Sequence, residues 1–539
     1  MKRKNYFGLN QPLAHSDHRR PVTRREFVSQ GFAFGSGLAL GAPLATSLLL
    51  SPNANALSPD LQQYLRDFGC GAFDADNAKI PFICFDLAGG ANIAGSNVLV
   101  GTNTQRDTLD SSGYLKQGLP ADMVPDGSTS SRINDEFGLL FHEDSQMLRG
   151  IRESAVAASS KTNGAVIAAR SENDTGNNPH NPMYAINKYA TSVLDGNGLT
   201  GERSASGRLL SLIGSRSSES GANSMAPLKY IEPEYRPTKI DRPSDATGLV
   251  DTGELVNLLG KADTEVIMES IYRLSAAKLG TVTTGTPSDS QIKNLVRCGY
   301  LNAASNSEQS PSDLNADDRN LDTDTDIPMS KRGRVIVGDE SSIFTEDEFD
   351  GDREFRKTAS IMKLVINGYA GAGTISMGGY DYHTGDRATG EIRDLRAGRC
   401  IGACLDYARR VEKPVMIYVY SDGSVFSNGM VDNSENGRGK GVWTGDNQQT
   451  AASFFLVYDP IARPEPIKQQ IGAMTRAGNV DTASSPVANN VDALVDAVTL
   501  NYMALHGEQG NFQTIFGPTL GNTQAMDELI AFNPIPSRA

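Results

Sequence analysis

The hydrophobic pattern of the chain shows strands and helices alternating in two separate parts. In the first part, residues 79–87 and 164–170 are short apolar runs of the kind that form buried strands, and residues 136–157 have helical spacing. The second part repeats the alternation, and its predicted elements are a helix over 355–366, a strand at 374–377, a helix over 388–411, strands at 414–420 and 452–458 and a helix over 491–505. We therefore expect an α/β fold with a mostly parallel sheet and helices on both faces.

A polar segment, residues 191–350, separates the two parts. It is rich in Ser, Asn, Asp and Gly, and helical spacing returns near 264–279 and 291–297. We expect a large irregular insertion within a single domain that spans 57–539.

The most acidic stretch of the chain, residues 305–352, overlaps the end of this insertion. Four side chains there fall at positions 1, 3, 5 and 12 of a calcium-loop template, namely Asp313, Asn315, Asp317 and Asp324. Position 6 of that template needs Gly, and this chain has Asp318. A solvated acidic loop is the favoured interpretation, because runs of like charge repel one another and stay hydrated.

The first 56 residues have the three-part pattern of an export signal. They carry seven Lys or Arg against two Asp or Glu, followed by a weakly apolar run over 31–50 and the small-x-small sequence Ala-Asn-Ala at 54–56. The heptapeptide Thr-Arg-Arg-Glu-Phe-Val-Ser at 23–29 is similar to the twin-arginine export motif. A membrane anchor is the alternative, but several glycines and Pro43 weaken a helix that is barely long enough to span a bilayer.

We predict that residues 1–56 are a twin-arginine signal peptide that signal peptidase removes. The mature protein would fold in the cytoplasm and pass through the twin-arginine export machinery to the periplasm or the extracellular space. It would keep no stable membrane anchor after cleavage. Folding before export is compatible with loading a metal ion before translocation.

The charge balance narrows the possible partners. The chain has 50 Lys and Arg against 64 Asp and Glu, a net charge of −14, and 39% of its residues are hydrophobic. This hydrophobic share is too high for a disordered chain, and an acidic surface repels phosphates, so we expect no nucleic-acid partner. The five cysteines match no zinc or haem spacing and are expected to be buried free thiols.

Polar residues at the predicted strand ends carry the candidate chemistry. The six candidates, which close or follow a strand or precede the next one, are Asp86, His180, Asp381, His383, Asp446 and Asn447. Because loops at the carboxyl ends of parallel strands meet at one edge of a sheet, we expect them to converge. Carboxylates, imidazoles and an amide oxygen can together ligate a divalent ion. Each residue also has an ordinary role open to it, as a helix cap, a turn residue or a partner of a backbone carbonyl.

Four turns, in chain order, resemble those of a known exported family. They are Leu87-Ala88-Gly89-Gly90-Ala91-Asn92, Pro179-His180, Gly378-Gly379-Tyr380-Asp381-Tyr382-His383 and Trp443-Thr444-Gly445-Asp446-Asn447. Together with the export signal, they are similar to the family catalogued as domain of unknown function fifteen-oh-one, which is placed in the alkaline phosphatase and sulfatase superfamily. The resemblance covers residues 80–190 and 355–507. It implies an alkaline-phosphatase-like fold with a divalent metal ion at these turns.

The chain departs from the family pattern at three positions. Asn92 stands where the family usually has Asp, Tyr380 replaces Trp, and Asn447 replaces the late His. Zinc prefers nitrogen and sulfur donors, so the loss of that imidazole disfavours a closed two-zinc centre. An Asp-Asn pair with other carboxylates suits calcium or magnesium, and we expect the ion to be calcium, magnesium or zinc.

The resemblance also implies a nucleophile beside the metal, either a hydroxyl or a formylglycine at the start of a helix. Ser96, which follows Gly95, is the candidate we nominate, and a simple turn serine is the alternative. The Cys-x-Pro-x-Arg sequence of sulfatases is not present.

Two functions of different classes remain open. The first is a metal-dependent hydrolase of phosphate or sulfate esters, in which Asp381 and His383 hold the ion. The second is a non-catalytic exported scaffold that serves surface binding or secretion, with the acidic insertion as its contact region. One scaffold hosts many functions, so the fold alone does not choose between them.

Overall fold

A computed structural model describes residues 79–125, 132–171, 180–195, 198–203, 212–214, 226–231, 237–242, 343–344, 346–366 and 370–538, with a few residues between 245 and 278. The chain divides into two compact units, of which one comprises Met1–Leu61 and Thr252–Gln309 and the other Gln62–Asp251 and Ser310–Ala539. In the first unit the described residues are helical and fall within the helix predicted over 264–279. The predicted signal peptide, the helical stretch at 291–297 and the calcium-loop template lie outside the described residues.

The second unit contains all the elements that follow. Its strands are β1 (Phe82–Ala88), β2 (Ile133–Asn134), β3 (Phe141–His142), β4 (Thr162–Ile167), β5 (Ser192–Asp195), β6 (Gly198–Arg203), β7 (Leu212–Gly214), β8 (Thr238–Lys239), β9 (Ala372–Gly378), β10 (Val415–Tyr420), β11 (Val425–Asp432), β12 (Lys440–Asp446), β13 (Ser453–Tyr458) and β14 (Gln470–Ile471). Its α-helices are α1 (Ser111–Lys116), α2 (Gln146–Ala155), α3 (Met183–Thr191), α4 (Glu346–Gly351), α5 (Arg353–Ile366), α6 (Ala388–Arg410), α7 (Val491–Leu505), α8 (Phe512–Phe516) and α9 (Thr523–Asp527).

Eight strands form a central sheet in the order β14-β4-β13-β10-β1-β9-β7-β8. Seven of them run in the same direction, and β13 is antiparallel to both of its neighbours. The strand β1 lies in the middle, where Asp86 is aligned with Tyr420 of β10 and Ser376 of β9. The carboxyl ends of the parallel strands and the amino end of β13 therefore share one edge of the sheet.

Side chains of β1 alternate between two hydrophobic cores, because successive residues of a strand point to opposite faces. Ile83, Phe85 and Leu87 belong to one core with residues of α2, α5 and α6. Phe82 and Cys84 belong to the other core with residues of α3 and α7. The prediction of a mostly parallel sheet with helices on both faces is thus confirmed.

Two expectations from the sequence need correction, and one hairpin was not predicted. The helix expected over 136–157 begins at residue 146, where Ser145 accepts a hydrogen bond from the backbone N of Leu148, and the residues before it form the β2–β3 hairpin. The sequence pattern did not indicate the β11–β12 hairpin, because most residues of β11 are at least partly exposed and form no continuous apolar run. The insertion over 191–350 is not wholly irregular, since β7 and β8 extend the central sheet beyond β9.

Candidate functional site

Three of the six candidate ligands meet at the carboxyl edge of the sheet. His383 Nδ1 lies 2.6 Å from Asp381 Oδ1 and 2.7 Å from Asp446 Oδ1. Asp381 and His383 follow β9, whereas Asp446 ends β12, so segments more than 60 residues apart form the group. We call Asp381, His383 and Asp446 the ligand trio, and its three ligand atoms lie within 4.8 Å of one another.

The contacts inside the ligand trio do not have hydrogen-bond geometry. His383 Nδ1 is buried and forms no hydrogen bond to a described residue, although two carboxylate oxygens are so close to it. A ring N–H has one hydrogen and could serve only one of them well. Two carboxylates and one imidazole nitrogen that converge on a point form a donor set that a divalent cation accepts.

The glycine turn after β1 packs closely against the backbone of Asp381, a member of the ligand trio. Gly89 has φ of +123°, and a Cβ there would lie 2.6 Å from the backbone N of Asp381. Only glycine allows so close an approach with that backbone conformation. The backbone N of Asn92 also donates to the hydroxyl of Tyr382, at 3.0 Å, so the two turns are joined.

Asp86 is not a member of the ligand trio but belongs to a second acidic site at the same edge. It is fully buried, Ser376 Oγ donates to its Oδ2 at 2.7 Å, and its Oδ1 forms no hydrogen bond to a described residue. Burial raises the pKa of Asp86 to about 8, and the negative charge of Asp422 acts in the same direction. Asp422 in turn accepts a 2.7 Å hydrogen bond from the backbone N of Gly89.

The structure separates the remaining candidates from the ligand trio or gives them local partners. The ring of His180 stacks on Tyr420, the residue aligned with Asp86, at 5.9 Å between centroids. Asn447 follows Asp446, and its Oδ1 accepts from the backbone N of Gln449 at 2.6 Å.

Ser96, the nominated nucleophile, is 1% exposed and donates its hydroxyl hydrogen to Asn92 Oδ1. Its Oγ therefore has a partner within its own turn. Asn92, which stands where the resembling family usually has Asp, thus orders the turn that carries Ser96.

An open pocket of about 310 Å³ adjoins the ligand trio through Asp446. Its other lining residues include Arg170 and Ser171, which follow β4, and Ser424, which precedes β11. The sequence analysis did not single out Arg170 or Ser171. The available signal was their position at the carboxyl end of the run predicted as a strand over 164–170: Arg170 is its last residue and Ser171 follows it, where polar residues reach the carboxyl edge of the sheet.

Comparison with protein-family models, curated proteins and solved structures finds no match to this chain. The resemblance to the exported family therefore stays a prediction that depends on the four turns. Within the described part of the chain, no helix is both long and apolar enough to cross a membrane. The fold and the site together define an α/β protein with a candidate cation site at the carboxyl edge of its sheet.

Proposed function

We propose that this chain is an exported, divalent-metal-dependent hydrolase of phosphate or sulfate esters with an alkaline-phosphatase-like fold. The observation that carries the proposal is the convergence of Asp381, His383 and Asp446 at the carboxyl edge of a mostly parallel sheet. Active sites of open α/β sheets form at this edge. The four turns that resemble those of the alkaline phosphatase and sulfatase superfamily support the same assignment.

The ligand trio would hold the ion, and nearby residues would fix its geometry. A divalent ion bound there would polarise an ester oxygen or activate a water molecule. The backbone of Asp381 is fixed against Gly89, and Asp446 is held by the β11–β12 hairpin. Asn447 is the nearest further oxygen donor in sequence, and Asp86 with Asp422 forms a separate buried acidic pair.

Metal content and turnover test this proposal together. Mature protein loaded with calcium, magnesium or zinc and then dialysed should retain about one equivalent of one ion, measured by elemental analysis. It should hydrolyse nitrophenyl phosphate or nitrophenyl sulfate, and a chelator should abolish that turnover. The double variant Asp381→Asn, His383→Gln should lose both properties, whereas Asp527→Asn, at an exposed acid far along the chain, should keep them. Absence of bound metal and of turnover in folded protein would overturn the proposal.

The second candidate function is a non-catalytic exported scaffold or surface-binding protein. One observation favours it: the hydroxyl of Ser96, the nominated nucleophile, is buried and donates to Asn92 within its own turn. Metal binding without turnover on either ester would select this function.

Export is the part of the proposal that can be tested alone. Replacing Arg24 and Arg25 by Lys in the full-length precursor should block export, because the twin-arginine machinery reads that pair. Fractionation of cells that express the precursor measures the result. Unchanged delivery to the periplasm or medium would contradict the proposed route.

A further inference from the structure

The pocket beside the ligand trio has the composition of a site for a polar ligand. All eight residues that line it are polar or glycine, and its volume is about 310 Å³. Ligand pockets are usually lined by apolar side chains with a few polar groups among them. A pocket without an apolar wall instead fits a small, charged and strongly hydrogen-bonding group.

Arg170 supplies a positive charge to this pocket. Its Nη1 donates to Asn489 Oδ1 at 2.8 Å and its Nη2 to Gln448 Oε1 at 3.0 Å, so neutral amides fix the plane of the guanidinium. Its Nε is buried and has no acceptor among the described residues. Since Arg170 forms no ion pair with any described residue, its charge is not neutralised within that part of the chain.

Ser171 places a second donor next to Arg170. It is 4% exposed, and its Oγ forms no hydrogen bond to any described residue. Buried hydroxyl groups are nearly always hydrogen-bonded, because leaving them unpaired forfeits their hydration. Two adjacent residues that line the pocket therefore each carry a buried polar atom without a partner in the part of the chain that the structure describes.

Asp446 links this pocket to the ligand trio. Asp446 is one of the residues that line the pocket, and its carboxylate contacts His383. Without a bound cation, the Asp446 carboxylate would repel an anion in the pocket. A cation on the ligand trio would neutralise the charge of that carboxylate. The arrangement therefore favours a ligand whose anionic group contacts Arg170 while a neighbouring oxygen faces the cation.

We propose that Arg170 and Ser171 form an oxyanion-binding subsite, in which Arg170 Nε and Ser171 Oγ donate to a phosphate or sulfate group. The role of this subsite in recognising a hydrolase substrate rests on the proposed function. Its capacity to bind an anion depends only on Arg170 and Ser171. Arg170 and Ser171 would bind the anion directly, and neither is assigned a covalent role.

Anion binding by the mature protein tests the subsite. Titration calorimetry with inorganic phosphate and with inorganic sulfate is performed with and without calcium, magnesium or zinc. Arg170→Gln should weaken binding by about tenfold or more, and Ser171→Ala by a smaller factor, because a charge-assisted hydrogen bond contributes more than a neutral one. Arg106→Gln, at an exposed arginine, is the matched control and should bind like the unchanged protein.

The results separate the subsite from the catalytic proposal. If Arg170→Gln abolishes anion binding and the unchanged protein hydrolyses no ester, the subsite is supported and the hydrolase proposal is overturned. If the protein hydrolyses esters, and both Arg170→Gln and Ser171→Ala leave the KM and the inhibition by anions unchanged, the hydrolase proposal is supported and the subsite is overturned. Failure of the unchanged protein to bind either anion at millimolar concentration, with or without the three ions, also overturns it. Ser171→Ala removes a single oxygen, so it gives a result even if Arg170→Gln fails to fold.

Discussion

Arg387 Cζ lies 4.4 Å from the centre of the Trp443 ring, and each of these side chains is 1% exposed. Arg387 follows His383 by four residues, and Trp443 precedes Asp446 by three. The backbone N of Gly385 also donates to the carbonyl oxygen of Trp443 at 2.8 Å. A buried cation–π contact and a backbone hydrogen bond therefore join the two segments that carry the ligand trio, and this junction holds its residues together.

Replacing Arg387 by Gln tests this junction. Arg387 Nη2 donates to Glu391 Oε1 at 2.5 Å, and Lys440 Nζ donates to Glu391 Oε2 at 2.8 Å. After the substitution, Lys440 remains as the buried cation that contacts the Glu391 carboxylate. We expect a loss of about 3 kcal/mol in the free energy of unfolding, because a buried ion pair is broken on one side. Urea denaturation measures it, with Arg149→Gln, at a mostly exposed arginine, as the control. A loss below about 1 kcal/mol would show that the junction does not stabilise the fold.

Replacing Gly89 by Ala should damage both stability and the ligand trio. The new Cβ would lie 2.6 Å from the backbone N of Asp381, and φ of +123° is strained for alanine. Gly385→Ala is a matched control, because Gly385 has φ of +91° but nothing within 4 Å of its Cβ position. We expect the control to lose about 1 kcal/mol from backbone strain and Gly89→Ala clearly more. Thermal unfolding and metal titration provide the comparison, and equal losses in the two variants would argue against a steric role for Gly89.

A divalent ion should stabilise the unchanged protein against unfolding. An ion that binds the native state gains about 2.7 kcal/mol at a free concentration of 100 times Kd. Asp446→Asn and Asp381→Asn should each remove most of this gain, and the double variant should lose little more, since the site is already incomplete. Thermal shift with and without calcium, magnesium or zinc measures the gain. Strictly additive losses in the two single variants would mean that the carboxylates do not share one ion.

The stability of the fold should fall with rising pH because of Asp394. It is 3% exposed, Asn97 Nδ2 donates to its Oδ2 at 2.8 Å, and its Oδ1 has no partner among the described residues. Burial raises the pKa of Asp394 to about 7, and the charge of Glu391 adds to the effect. The native carboxyl keeps its proton up to that pH, whereas the unfolded chain releases it near pH 4, so unfolding releases a proton in between.

The contribution of Asp394 is thus fully present below about pH 4 and is lost as the pH rises to 7, with a slope of about 1.4 kcal/mol per pH unit. Asp394→Asn should remove this slope, because the amide does not titrate. Urea denaturation at several values between pH 5 and 8 measures the difference between the two proteins. The exposed-site variant Asp527→Asn serves as the control, and parallel pH profiles for Asp394→Asn and the unchanged protein would contradict the assignment.

Much of the fold was predictable because the elements are locally encoded. The helix predicted over 491–505 coincides with α7, and the strands at 414–420 and 452–458 differ from β10 and β13 by one residue at their starts. The direction of β13 was not predictable, because an apolar run has the same pattern in parallel and antiparallel strands. The β11–β12 hairpin was missed because its partly exposed residues give no continuous apolar signal.

By itself, the sequence determined the α/β class and showed which polar residues end the strands. Only the tertiary structure decided which of those residues meet. Asp86 lies two residues before the end of β1, and the strand directs its side chain to the same face as Phe82 and Cys84, where Ser376 donates to it. Asp446 reaches His383 because a hairpin folds back beside the turn after β9. Hydrophobic periodicity encodes local elements and their buried faces, whereas the meeting of distant loops depends on long-range packing that no local pattern specifies.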